Sequence, residues 1–143
     1  MKKALFRILS ILLAFALLFA LASCAGNISD ENAKADVTDF FNALEVQNHA
    51  RAKTLLHPGS DIDVAAFAEA LEASHGLRYT DGVTVEDVTV TKNTVYTGAE
   101  RSTHKILSVT LLVNETRISA NVHLLKDGAG YGIYRITVLG SNA

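Results

Sequence analysis

Few groups in this chain could do chemistry: five histidines, a single cysteine at position 24, and the triplet Tyr79-Thr80-Asp81. A neutral imidazole takes up a proton near physiological pH or ligates zinc. His104 and His123 fall in a β-branched half of the chain, with Ser108 and Asn121 nearby, and can share one sheet face. Two histidines would begin a zinc site, but a third protein ligand is required, and no carboxylate projects from the strands beside them. His49, His57 and His75 fall at the ends of helical segments, where imidazole ordinarily meets terminal carbonyls or water. No metal and no cofactor is therefore expected. Asp81-Gly82 reads as a turn at a helix-to-sheet junction. The sequence contains no Gly-x-Ser-x-Gly elbow, no His-Glu-x-x-His and no phosphate-cradling glycine loop, which weighs against hydrolases and nucleotide enzymes. Phe40 and Phe41, with Phe67 and Tyr134, are candidate pocket residues, although aromatic pairs at helical spacing also serve as plain core.

Cys24 has a different context. Lys2, Lys3 and Arg7 precede an apolar run of 15 residues from Ile8 to Ala22, broken only by Ser10. A spanning helix needs about twenty residues, so this run has the size of a signal-peptide core. Leu21-Ala22-Ser23-Cys24 ends it with small residues before a thiol. This stretch resembles the bacterial lipoprotein signal with its lipobox. The resemblance implies cleavage between Ser23 and Cys24, a diacylglycerol thioether and an N-acyl chain such as palmitate on Cys24, and a place outside the cytoplasm on the cell membrane or outer membrane. Two or three acyl chains are enough for stable anchoring.

The chain then divides into a signal peptide at 1–23, a lipidated tether at 24–35 that is small and polar, and one domain at 36–143. Without the three leader cations, ten Lys and Arg face fifteen Asp and Glu, a net charge of −5. An acidic domain is a poor partner for nucleic acid. With one cysteine there is neither a disulfide nor a cysteine-metal cluster, so the domain must stand on its apolar core.

Val37, Phe40, Phe41 and Leu44 form a helical stripe, with Asp36 or Thr38 as its cap. Asn48 caps a short second helix with Ala52, Leu55 and Leu56, which His57-Pro58-Gly59 stops. Asp61 or Asp63 opens a third, with Val64, Phe67, Ala68 and Leu71 in register and Gly76 as its terminator.

From Leu77 the period changes to two. Val83, Val85, Val88 and Val90 mark a strand with a bulge at Glu86-Asp87, and Lys92 to Arg101 reads as a connector. Residues 103 to 125 form a hairpin turning at Asn114-Glu115. It sets Val113 opposite Thr116, Leu111 opposite Ile118, Val109 opposite Ala120 and Leu107 opposite Val122. This register makes one face nearly all apolar, and a slip by one residue would mix the faces. After the turn at Lys126 to Gly130, a last strand runs from Tyr131 to about Leu139. Tyr134, Ile136 and Val138 are preferred as its inward set over Ile133, Arg135 and Thr137, because burying Arg135 unpaired is costly.

The expected fold is α+β: N-terminal helices packed on one face of a curved antiparallel sheet of about four strands. This order resembles the nuclear-transport-factor-2-like superfamily, through Val37 to Leu44, the short helix ending at Leu56-His57-Pro58, and the strand Gly132 to Ile136. A cystatin-like helix-on-sheet fold is the nearest alternative. The resemblance implies a domain that binds a small apolar ligand or an envelope protein without catalysis. Two alternatives stand beside it. One is an enzyme of the isomerase or dehydratase kind. The other is a module that forms a homodimer through an outer-face patch of Ile106, Leu112, Leu125 and Ile133.

Overall fold

The structure, a computed structural model, describes residues 27–75, 82–113 and 115–142. The leader, Ser23, Cys24, Gly76, the triplet Tyr79-Thr80-Asp81 and Asn114 lie outside these described residues, as do the side chains of His75, Ser141 and Asn142.

Three helices lead. α1 spans Asp30–Glu45, α2 His49–Thr54 and α3 Val64–His75. Helix α1 begins earlier than the apolar stripe suggests. Its cap is Ser29, whose hydroxyl accepts from the Asn32 amide at 3.2 Å, and Asp30 and Glu31 sit in the first turn. Hydroxyl cap and first-turn acids both suit the positive end of a helix. Residues 30–35, read above as tether, therefore belong to the folded domain, and neither Asp36 nor Thr38 is the cap. Ala33 extends the buried stripe of Val37, Phe40, Phe41 and Leu44 by a full turn. Helix α2 is capped as expected, with Asn48 Oδ1 accepting from the Arg51 amide. Of the two candidate caps for α3, Asp63 fills the role, and its Oδ1 accepts from Ala65 and Ala66.

The sheet follows. β1 spans Val83–Val90, a short helix α4 spans Glu100–Thr103, and β2 (His104–Val113), β3 (Thr116–Asp127) and β4 (Gly130–Asn142) complete it. The four strands are antiparallel neighbours in the order β1-β2-β3-β4, and the curved sheet does not close on itself. The fold is thus α+β, with the three N-terminal helices on one sheet face.

The β2–β3 hairpin has the register that its alternation demands, from Val113 opposite Thr116 to Lys105 opposite Leu124. Its helix-side residues Leu107, Val109, Leu111, Ile118, Val122 and Leu124 are all buried. They meet α1, where Phe40 and Phe41 pack edge to face at 5.4 Å. Burying side chains of this size contributes about 1.5–3 kcal/mol each before entropy is counted. The bulge in β1 lies between Val85 and Asp87, where period two fails in the sequence.

β4 departs from both expected faces. Leu124 pairs with Ile133, but His123 pairs with Arg135, so Tyr134 is an extra residue with no opposite number. The bulge changes parity mid-strand. Tyr131 and Ile133 face the helices before it, and Ile136 and Val138 after it, while Arg135 stays exposed. Tyr134 is thereby released from the core set in which it was expected.

Beside β4 runs Leu56, bridged in parallel to Ile133. The His57 amide donates to the Ile133 carbonyl and the Ile133 amide to the Leu55 carbonyl, both at 2.9 Å. The approach is close enough that a Cβ on Gly132 would lie 2.6 Å from backbone atoms of Leu56 and His57. Only glycine fits there.

Candidate binding clefts at one end of the sheet

The sheet face away from the helices carries a row of rings. Tyr96, from the connector between β1 and β2, stacks on His104 with centroids 3.8 Å apart and meets His123 edge-on at 5.7 Å. Its Oη lies 2.9 Å from His123 Nδ1. Burial raises the Tyr96 hydroxyl above its ordinary value, so it stays protonated and donates to that nitrogen. Burial, and secondarily the Arg135 cation, lowers His123 below the usual imidazole range and keeps it neutral. His104 Nδ1 faces the Glu100 carbonyl at 2.9 Å. A carbonyl only accepts, so Nδ1 carries a hydrogen and donates to it. Tyr134, freed by the bulge, extends the row towards His57, with centroids 6.4 Å from His104 and 5.9 Å from His57.

His57 is buried, at 3% exposure, not merely set against helix-end carbonyls as expected. The Gly59 amide donates to its Nδ1 at 3.0 Å, and Nε2 lies 3.0 Å from Asp127 Oδ1. Nδ1 accepts, so Nε2 carries the proton and donates to the carboxylate. Asp127 also accepts from the Ala129 and Gly130 amides at the β3–β4 turn. Those backbone bonds, led by Ala129 and reinforced by His57, hold its carboxyl below the usual range. A carboxylate does project from β3, therefore, but it clamps a turn and leaves His104 and His123 alone. Among the described residues, no three His, Cys, Asp or Glu side chains converge as a metal site.

The same end of the sheet holds two clefts on either side of Asn27-Ile28-Ser29. One, of ≈ 450 Å³, is lined by that segment, Asn93, Arg101, Ser102, His104 and Lys105, among others. The other, of ≈ 330 Å³, is lined by Asn32, Lys126 and Tyr131 beside the same segment. Ile28 is buried between them. Lys105 Nζ pairs with the Asp30 carboxylate, and that bond holds Asp30 below the usual carboxylate range. Arg101 donates through Nε and Nη2 to the Asn93 carbonyl, which fixes the connector as one wall. The Tyr131 hydroxyl is buried close to the Asp36 carboxylate, and burial first, then that carboxylate, raises it above the ordinary phenol value.

The four candidate pocket residues fall in different surroundings. Phe40 and Phe41 are fully buried core. Phe67 lines a small hollow of ≈ 110 Å³ with Ala70, Leu71, Ser74 and Val138. Tyr134 belongs to the ring row on the far side. Ile106, Leu112, Leu125 and Ile133 do not form an exposed patch: Ile106, Leu125 and Ile133 are buried, and Leu112 alone of that set is half-exposed. Ile133 lies opposite Leu124 and so faces the helices. Sequence reasoning found the His104–His123 neighbourhood but missed Tyr96 between them, since nothing in Lys92 to Arg101 marks it as a wall. No protein-family model, curated protein or solved structure matches this chain.

Proposed function

We propose that this protein is an envelope lipoprotein, anchored through Cys24, whose domain binds a small ligand without transforming it. The fold is read as an open, four-stranded relative of the nuclear-transport-factor-2-like cone. The observation that carries the binding reading is the ≈ 450 Å³ cleft between the start of α1 and the connector. Its volume falls in the range of small-molecule sites. Its lining sets Asn27, Asn93, Arg101, Ser102 and His104 beside Ile28 and Val90, with Lys105 already paired to Asp30, which suits a small ligand that presents both hydrogen-bonding and apolar groups. A non-catalytic role is favoured over the isomerase-like one because the imidazoles at this end already hold structure. His57 uses both nitrogens, His123 meets Tyr96, and His104 Nδ1 meets Glu100.

Native mass spectrometry of the full protein, extracted from membranes in detergent, tests this. The expected result is a small molecule released on denaturation, retained by wild type and lost from Ser102→Tyr, which fills the cleft. A wild-type protein that carries nothing, or a ligand that Ser102→Tyr retains, would contradict it.

A further inference from the structure

Asn27, the first described residue, comes three residues after Cys24. Ile28 is buried, so the chain is held by the domain from that point on. Three residues reach about 10 Å at full extension. The link thus has no slack to hold the domain clear of a bilayer, and it fixes which end of the domain lies nearest.

That end has a composition of its own. Val95 in the connector is 64% exposed, two residues from Asn93 in the cleft wall. Arg101 and Lys126 line the two clefts. Asp30, the acid closest to the tether, already has its charge met by Lys105. Val46, which is 70% exposed, sits just past the other end of α1. A 16-residue helix places it about 24 Å away along the helix axis.

We propose that the α1-entrance end docks on an anionic membrane surface, with Val95 at the headgroup boundary and Arg101 and Lys126 against lipid headgroups. This rests on the reading of Cys24 as acylated. The short link supplies most of the holding, and the two cations set the orientation against the nearby Glu31 and Glu100. The clefts then open towards the bilayer, where a ligand would arrive from the membrane plane.

The test uses the full acylated protein in vesicles of phosphatidylcholine and phosphatidylglycerol whose acyl chains carry bromine quenchers. A fluorophore is placed at Val95→Cys or at Val46→Cys. The expected result is several-fold stronger quenching at position 95 than at 46, reduced when Arg101→Glu and Lys126→Glu are combined. Equal quenching at the two positions on a chain shown by mass to be acylated overturns the docking alone. Unchanged quenching in the charge-reversed protein overturns the headgroup contact. A chain without acyl mass overturns this inference together with the anchoring beneath it.

Discussion

On the helix side of the sheet, Leu107, Val109, Leu111, Ile118, Val122 and Leu124 meet Val37, Phe40, Phe41 and Leu44, and every one of them is buried. On the other side, cover comes from a connector at one end, and the contacts are polar and aromatic: Tyr96 on His104 and His123, Arg101 on the Asn93 carbonyl. The first face is non-directional and tolerates no charge. The second depends on a few directed hydrogen bonds, each of modest net value. Stability should therefore reside on the helix side. The outer face, with fewer apolar contacts, is where a wall of the cleft can shift at low cost.

Substitutions on the two faces should differ accordingly. Leu107→Asp buries a charge at the centre of the helix-side face. It should cost more than about 4 kcal/mol and leave no cooperative unfolding transition. A normal thermal midpoint would show that the strand faces are assigned wrongly. Gly132→Ala forces a Cβ into the Leu56–His57 backbone. Overpacking of this kind costs about 1–3 kcal/mol, measurable by urea denaturation. Tyr96→Phe keeps the stack and removes the hydroxyl, so the loss should be about 1 kcal/mol. A loss as large as that of Leu107→Asp would erase the distinction between the faces.

The smallest effect is the pH dependence of the outer face. His123 has a lowered value, so the fold favours its neutral form. Its contribution is complete above the ordinary imidazole value. It declines as pH falls through that value, because the unfolded chain takes up the proton first. The urea midpoint should fall between about pH 7 and pH 5, and less so in His123→Gln. Identical slopes for the two proteins would remove His123 from the account.

What could be read from the sequence follows the same division. The β2–β3 register was legible because Leu107, Val109, Leu111 and Val113 recur at every second position of β2, and only one pairing sets them opposite the apolar residues of β3. β4 was not, because Tyr134 is an inserted residue. Either unbroken alternation makes half the strand wrong, and Ile133 and Ile136 both face the core only if parity breaks between them. The start of α1 was read late because Ala33 alone carries the stripe into its first turns. The His57–Asp127 clamp joins residues 70 positions apart, and neither has a local pattern to announce it. Of the candidate site, the diagonal placement of His104 and His123 on one sheet face was visible through strand register. The wall that Tyr96 and Arg101 build came from a connector without periodicity. Long-range contacts of that kind are set by the path of the chain, not by local spacing.

The anchoring of this domain at Cys24 is the claim on which its placement and the orientation of its clefts depend. The intact mass of the protein purified from membranes tests it most directly. The account predicts a chain beginning at Cys24 and carrying a diacylglycerol thioether, with an uncleaved, unacylated precursor in Cys24→Ala. A wild-type chain that retains its leader, or begins at another residue without acyl mass, would contradict it.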